Sequence, residues 1–132
     1  MVKDLTVLKE IYPKKAFAHV ATIGKDGSPQ VSPVWIDFDE ETGLIQFNTA
    51  KGRVKEKNLR RDKRVAISIL DPDNPYSYVG IRGEVVEITE RDADANIDKL
   101  AKKYLGLDKY PYRRPGEIRL VVKVKPISVA AT

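Results

Sequence analysis

The chain of 132 residues has no cysteine, one histidine, one tryptophan and one methionine. Without cysteine it can form neither a disulfide framework nor a thiolate metal site, and the single His19 excludes a site built from several histidines. No apolar run reaches the roughly 20 residues that a membrane-spanning helix needs, and residues 1–12 mix charged and apolar side chains, unlike a secretory signal. We therefore expect a cytoplasmic protein without a membrane partner.

Length and charge narrow the possibilities further. A chain of this length is expected to form one domain, residues 1–132, with room for a single hydrophobic core. With 24 Lys and Arg against 19 Asp and Glu, the formal net charge is +5. Such a surplus suits nucleic acid, an anionic membrane surface or a small molecule with several negative charges, and charge alone does not choose among them.

The apolar pattern predicts a small antiparallel barrel. Helical spacing predicts helices at residues 2–12 and 90–105, in addition to a short basic helix. Strands are predicted at residues 16–23, 30–38, 44–49, 64–70, 78–88 and 117–124. Asp26 and Gly27 are a strong hairpin signal, and residues 71–77 are predicted to form a loop rich in Pro, Asp and Asn. Hairpin connections with helices only at the periphery favour a barrel over a doubly wound parallel sheet.

Four local features refine this prediction. Pro33 places the second strand at an edge or at a bulge, because proline cannot donate to a ladder. Gly80 and Gly83, inside a long strand, mark a bend or the close approach of another backbone. Thr89 is the predicted N-cap of the long helix, and Gly106 is its predicted stop.

Residues 49–62, with the sequence T-A-K-G-R-V-K-E-K-N-L-R-R-D, link a predicted strand to the short basic helix. Gly52 opens a tight turn, and the helix start presents unpaired N–H groups and the positive end of the peptide dipoles. Helical spacing would give two stripes, Arg53, Lys57, Arg60 and Arg64 on one and Lys51, Lys55 and Asn58 on the other. This pattern suits either a site for a phosphate or polycarboxylate or a solvated basic face.

Several segments resemble one known family. They read A-T-I-G-K-D-G-S-P-Q-V-S-P-V-W-I at 21–36 and F-N-T-A-K-G-R-V-K-E-K-N-L-R-R-D-K-R-V-A-I at 47–67. These resemble the FMN-binding split-barrel proteins related to pyridoxamine 5′-phosphate oxidase, and are most similar to the branch that uses the deazaflavin coenzyme F420. D-P-D-N-P-Y-S-Y-V at 71–79, L-A-K-K-Y-L-G at 100–106 and P-G-E-I-R at 115–119 also fit that branch. The resemblance implies a mainly β fold, a six-stranded antiparallel Greek-key split β-barrel with peripheral helices.

The resemblance also implies a cofactor site. In such proteins the second strand lines the cofactor ring with backbone groups, the end of the third strand contacts the ribityl chain and phosphate, and the basic stretch holds the phosphate. They are homodimers with sites built from both chains, and the region from residue 71 to 78 corresponds to the part that reaches across the interface. The implied cofactor-binding residues are Ser32, Pro33, Val34, Trp35, Ile36, Asn48, Thr49, Lys51, Arg53, Val54, Lys55, Asn58, Arg60, Arg61, Ser77 and Tyr78.

The implied function is a coenzyme F420-dependent oxidoreductase that transfers a hydride between the reduced cofactor and a small unsaturated or conjugated substrate. An FMN-binding oxidase-like enzyme or flavin carrier is the alternative. Because hydride chemistry belongs to the cofactor, no catalytic acid or base is assigned. Tyr78, Tyr110 and Tyr112 are candidate proton donors, with packing as the alternative role.

Two further kinds of partner are weighed against this function. A nucleic-acid-binding module is disfavoured, because no aromatic stacking series is interleaved with the cations of residues 51–64. No metal is expected, because the carboxylates of Asp71 and Asp73 lack the further ligands that a hard cation requires.

Overall fold

The computed structural model describes residues 4–131 and is mainly β. Its elements, in chain order, are α1 (Thr6–Ile11), β1 (Ala18–Ile23), β2 (Pro29–Val34), β3 (Ile36–Asp39), β4 (Leu44–Ala50), α2 (Val54–Arg61), β5 (Arg64–Asp71), β6 (Asn74–Thr89), α3 (Ala93–Leu105) and β7 (Arg119–Ala131). All strand pairs are antiparallel, and the strand order in the sheet is β2-β1-β5-β6-β7-β4-β3. Within the described residues, no helix is long and apolar enough to cross a membrane.

The sheet curls because its two edge strands follow each other in the chain. β2 pairs with β1, and β3 pairs with β4, yet only Trp35 separates Val34 at the end of β2 from Ile36 at the start of β3. The first and last strands of the sheet must therefore approach each other at this point, which bends the twisted sheet into a split half-barrel. The prediction of a mainly β, antiparallel split barrel with peripheral helices is confirmed.

The predicted number of strands is wrong by one, because residues 30–38 form two strands. Val34, Ile36 and Phe38 are all buried, so the alternation continues through the break and reads as one strand. The two halves separate because they pair with different neighbours at opposite edges of the sheet. The edge position predicted from Pro33 is confirmed, since it lies in edge strand β2.

Register shifts at three places shape the long strand β6. The predicted loop at residues 71–77 is wrong, because β6 begins at Asn74 and the register shift beside Asp71 absorbs the extra residues. A second shift follows Arg82, where a Cβ on Gly83 would lie 2.9 Å from the carbonyl oxygen of Lys125. The close backbone approach predicted for Gly83 is thus confirmed.

Several predicted element ends differ from the structure. The long helix begins at Ala93 after Asp92, whose φ of 63° is left-handed, and Thr89 instead accepts a hydrogen bond from the Arg91 N–H at 3.0 Å. The N-cap prediction for Thr89 is therefore wrong, whereas Gly106, with φ of 72°, ends the helix as predicted. The final strand extends beyond its predicted end to residue 131. The first helix begins at Thr6, and the predicted residues 2 and 3 lie outside the described part of the chain.

Burial along the strands shows where the core lies. In β5, Val65, Ile67 and Ile69 are buried and alternate with exposed residues, as predicted, because only one face of this strand meets the barrel interior. β7 is different, because residues 119–122 are all buried. One face of this strand contributes to the barrel core, and α3 packs against it from outside. A strand covered on both faces loses the alternating pattern.

The end of α3 fastens the split between the edge strands. The Tyr104 hydroxyl donates to the Ala16 carbonyl at 2.5 Å and accepts from the Ile36 N–H at 3.1 Å. Lys103 Nζ donates to the carbonyl oxygens of Tyr12, at 2.5 Å, and Ile36, at 2.6 Å. Burial raises the pKa of Tyr104 to about 12 and lowers the pKa of Lys103 to about 8. Two adjacent side chains thus hold the backbone on both sides of the split.

The lowered pKa of Lys103 predicts an alkaline gain in stability. Folded Lys103 releases its proton near pH 8, whereas an unfolded lysine keeps it to about 10.5. Between these values the unfolded chain binds more protons, so the free energy of unfolding rises with pH. Between about pH 7.5 and about pH 9.5 we expect the free energy of unfolding of the wild type to rise by about 1 kcal/mol relative to that of Lys103→Met. This value is half of what the pKa difference alone would give, because the side chain is partly solvated. Urea unfolding of both proteins at the two pH values measures this, and a difference that does not change with pH contradicts it.

Candidate functional site

A cavity of about 190 Å³ lies where β2, β4, the start of α2 and α3 come together. Aromatic and apolar side chains share its lining with three cations. The lining residues are Phe17, Pro33, Val34, Trp35, Asn48, Thr49, Arg53, Lys55, Ile97, Leu100, Tyr110, Tyr112 and Arg119. A flat apolar group and an anionic group could therefore be bound side by side.

The turn between β4 and α2 is fixed from within the helix. Gly52 has φ of 92°, a conformation that other residues rarely adopt. The buried Glu56 carboxylate accepts from the Gly52 N–H at 2.9 Å and from Arg60 Nε at 2.6 Å. These two contacts hold the pKa of Glu56 below its ordinary value. The arrangement resembles half of a capping box, and it places Arg53 and Lys55 at the cavity.

Lys55 and Arg53 are two of the three cations at the cavity. Lys55 Nζ donates to Ser32 Oγ at 2.8 Å, which links α2 to edge strand β2. Burial, and then the nearby Arg53 guanidinium, lower the pKa of Lys55. Arg53 lies 3.7 Å from a Glu117 carboxylate oxygen, whereas no carboxylate in residues 4–131 forms a salt bridge with Lys55. A half-buried ammonium without a carboxylate partner favours an anion beside it.

Arg119 forms the base of the cavity and was missed by the sequence analysis. Its side chain, 7% exposed, donates from Nε to Asn48 Oδ1 at 2.8 Å and from a terminal nitrogen to Glu117 at 3.1 Å. The Asn48 amide in turn donates to the Ala93 carbonyl and to Asn96 Oδ1, both at 2.9 Å. This network joins β4, β7 and α3. A single arginine before the apolar residues 120–122 was the signal that could have revealed it.

Thr49 brings an unsatisfied hydroxyl to the cavity. Its side chain is 2% exposed, and in the described part of the chain Oγ1 has no hydrogen-bond partner. A buried hydroxyl without a partner costs about 1–3 kcal/mol. A ligand atom able to donate or accept a hydrogen bond would remove that cost.

The opposite wall of the cavity is aromatic. Trp35 stacks on Tyr104, with ring centroids 5.2 Å apart and planes 7° from parallel, and meets the Tyr110 ring edge-on at 5.9 Å. Tyr110 meets Tyr112 in the same way at 5.6 Å. The Arg119 guanidinium lies 5.2 Å from the Tyr110 centroid and joins this wall to the polar base.

Ion pairs hold the loop that carries the two outer tyrosines. Arg113 donates to Asp94 and Asp98 of α3, at 2.7 Å each. The Tyr110 N–H also donates to Asp98, at 2.8 Å. The helix therefore determines where the loop lies over the cavity.

The structure brings about half of the implied cofactor-binding residues together. Those at the cavity are Pro33, Val34, Trp35, Asn48, Thr49, Arg53 and Lys55, with Ser32 beside them through its hydrogen bond to Lys55. The others do not line the cavity: Ile36 is in the core, Lys51 and Val54 are exposed, Asn58 is buried, Arg60 and Arg61 are on the exposed side of α2, and Ser77 and Tyr78 are in β6. Cofactor contacts by both groups remain predictions.

Two residues of the basic stretch make contacts within the protein. The predicted cationic stripe is wrong in including Arg64, because α2 ends at Arg61, and Arg64 begins β5 and pairs with Asp62 at 2.8 Å. Asn58, whose contact with the cofactor stays a prediction, is 2% exposed and donates to Thr22 Oγ1 at 3.0 Å. Its oxygen accepts from Arg61 at 3.1 Å, so this amide ties α2 to β1.

Within residues 4–131, no group of three or more His, Cys, Asp or Glu side chains could hold a metal ion. The cavity offers cations, a hydroxyl without a partner and aromatic rings. Together with the split half-barrel, these features suit a flat ligand that carries negative charge.

A family model described as pyridoxamine 5′-phosphate oxidase matches residues 6–131, and the chain belongs to this family. Its structure is similar to that of an F420 reductase, with 31% identity and a TM-score of 0.79 over 92% of this chain and 94% of the other. Family and fold together support an oxidoreductase that uses a flavin or a deazaflavin.

Two more distant structures share the fold. One is a conserved hypothetical protein from Mycobacterium tuberculosis, with 22% identity and a TM-score of 0.73 over 99% of this chain and 85% of that protein. The other is a pyridoxamine 5′-phosphate oxidase-related, FMN-binding protein from Nostoc punctiforme, with 14% identity and a TM-score of 0.64 over 97% and 83% of the two chains.

The buried position of Asn58 predicts a loss of stability on truncation. Asn58→Ala leaves the Thr22 hydroxyl without its donor, so we expect the free energy of unfolding to fall by about 2 kcal/mol. Lys57→Ala, on the exposed face of the same helix, is the matched control and should change it by no more than about 0.5 kcal/mol. Urea unfolding measures the stability of both variants. If Asn58→Ala is as stable as Lys57→Ala, the hydrogen bond between α2 and β1 contributes little.

Proposed function

We propose that this protein is an oxidoreductase that binds coenzyme F420, with part of the cofactor in the cavity of about 190 Å³. It would transfer a hydride between the reduced cofactor and a small unsaturated or conjugated organic substrate. The observation that carries the proposal is the meeting, in one cavity, of Lys55 without a carboxylate partner, Thr49 with its unpartnered hydroxyl and the aromatic wall. The 31% identity to an F420 reductase supports the deazaflavin, and FMN is the alternative.

The chemistry of the lining fits a flat cofactor that carries a phosphate. Arg53 offers a planar fork of donors, and Lys55 offers a mobile charge, so together they suit a phosphate in a groove that water can reach. The start of α2 adds backbone N–H groups and a positive dipole. Thr49 Oγ1 can bond to a polar atom of the same ligand. These residues would hold the charged part of the cofactor.

The remaining lining residues orient the ring and exclude water. A bound deazaflavin would supply the hydride chemistry. Trp35 and Tyr110 form an aromatic wall whose position the helix α3 fixes, and Pro33 and Val34 present the edge of β2 beside it. Of the three tyrosines considered as proton donors, Tyr110 and Tyr112 line the cavity and Tyr78 does not, so a proton donor, if required, would come from the first two.

We also propose that the functional unit is a homodimer with sites completed by both chains. The outer face of the sheet carries a groove of about 520 Å³ lined mainly by apolar atoms. A second groove of about 420 Å³ adjoins it and shares Ala21, Ala66 and Arg82. Val31, in the second groove, is 63% exposed. An apolar face of this extent on a sheet favours burial against a partner, and Ser77 and Tyr78 are the proposed contacts to the partner's cofactor.

Removing both cavity cations tests the site. In Arg53→Ala/Lys55→Ala we expect the affinity for coenzyme F420 to fall at least about tenfold, because two charge-assisted contacts are lost. The control Lys57→Ala/Lys63→Ala removes the same charge from exposed positions outside the cavity and should bind nearly as the wild type does. Fluorescence titrations with F420 and with FMN measure these affinities. Unchanged F420 binding in the first variant contradicts the site. If the wild type binds FMN tightly and does not bind F420, the cofactor is FMN and not F420.

A charge in the apolar groove tests the dimer. We expect the wild type to sediment as a dimer, and Val31→Glu to shift it toward the monomer, because Val31 lies opposite Ala21, and burying a carboxylate with no cation directly across the strand opposes association. Lys9→Glu, on the exposed side of α1, reverses a charge elsewhere and should leave the dimer intact. Sedimentation velocity over a range of concentrations distinguishes these outcomes. A wild type that stays monomeric throughout would refute the dimer.

A further inference from the structure

Two aromatic residues at the cavity lie just beyond the end of a strand ladder. The pairing of β1 with β2 ends at Ala18 and Val34. Phe17 and Trp35 come next along the two strands, and both line the cavity. No strand pair fixes the distance between them, because the chain leaves the ladder on both sides at this point. Something else must hold them in place.

Side chains from α3 bridge the two segments at this place. The Tyr104 hydroxyl donates to the Ala16 carbonyl and accepts from the Ile36 N–H at 3.1 Å, and these two residues adjoin Phe17 and Trp35. The Tyr104 ring lies 5.6 Å from that of Phe17 and 5.2 Å from that of Trp35. One side chain thus contacts both aromatic residues and the backbone next to each.

Lys103 adds a second bridge parallel to the first. Its ammonium donates to the carbonyl oxygens of Tyr12 and Ile36, at 2.5 and 2.6 Å, and lies 4.5 Å from the centroid of the Tyr104 ring. In the described part of the chain it has no carboxylate within salt-bridge distance, since Asp37 pairs with Lys99 at 2.9 Å. Partial burial of an ammonium is unfavourable unless its hydrogen bonds are strong. Here both strong bonds act across the split.

We propose that Lys103 and Tyr104 are positioning residues that set the separation of Phe17 and Trp35 and thereby the affinity of the cavity for its cofactor. Neither residue lines the cavity, so neither would touch the cofactor. The effect on cofactor affinity rests on the proposed function. The placement of Trp35 does not, and it can be measured without any cofactor.

Trp35 is the only tryptophan in the chain, so intrinsic tryptophan fluorescence reports on this wall alone. The test compares Lys103→Met, Tyr104→Phe and the control Lys102→Met. Lys102 is the exposed neighbour of Lys103 in α3 and pairs with Asp108. The measurements are the emission maximum of Trp35, its quenching by acrylamide in the apo protein, and titration with F420 and with FMN.

In Lys103→Met we expect a red-shifted emission, roughly twofold stronger quenching and about tenfold weaker cofactor binding, because a small displacement of a binding wall has a large effect. Tyr104→Phe keeps the ring and loses only the hydroxyl contacts, so it should shift all three quantities in the same direction by less. Lys102→Met should match the wild type. If Lys103→Met fails to fold, Tyr104→Phe carries the test.

The outcomes separate this inference from the proposed function. Folded variants, checked by circular dichroism, whose Trp35 emission, quenching and cofactor affinity all match the wild type would overturn the positioning role while leaving the function standing. A wild type that binds neither cofactor would overturn the proposed function and, with it, the link to affinity. In that case the emission and quenching of the apo variants still decide whether Lys103 and Tyr104 place Trp35.

Discussion

One constraint underlies the whole structure: the two edge strands of the sheet are separated by a single residue, Trp35. Because a single residue connects the first and last strands, the sheet must curve until these two strands lie close together, and the natural twist of the strands allows this curvature. The place where the edges approach has no ladder between them, and Trp35 stands in that gap. The cavity, the aromatic wall and the bridging side chains of α3 all lie at this opening.

The cations of the basic stretch fall into two groups with different roles. Arg60 and Arg64 are paired with Glu56 and Asp62 and help to define the helix and its exit. Lys55 instead donates to Ser32 of β2, and Arg53 lies 3.7 Å from a Glu117 carboxylate oxygen. Spacing left two interpretations of this segment, an anion site and a solvated basic face. The proposed anion site would use Lys55 and Arg53, and the basic face describes the other cations. A cation that is already paired with a carboxylate attracts a further anion less. The cations without a close carboxylate partner are therefore the ones available to bind an anionic ligand.

Sequence patterns predicted the structure correctly where the local sequence, or packing against a single element, determined it. The alternation of residues 64–70 matched β5, and the conformation of Gly106 matched its predicted place at the end of α3. The pattern failed at residues 30–38, because alternation records burial and not the identity of the pairing strand. It also failed to single out Arg119, because the burial of this guanidinium depends on two hydrogen-bond partners that the pattern does not reveal. Asn48 is distant in the sequence, and Glu117 lies on an irregular segment.

By itself, the sequence determined the antiparallel β character, the basic turn after the third predicted strand and the family to which the chain belongs, because each is written in short segments and their order. Only the tertiary structure decided which of those cations meet an aromatic wall and which polar groups are already used inside the protein. The physical reason is that hydrogen-bond satisfaction and desolvation depend on neighbours from distant parts of the chain. Asn58 and Thr49 illustrate this: both are buried polar residues, yet the side chain of Asn58 is bonded to β1, whereas the hydroxyl of Thr49 has no partner within the described residues.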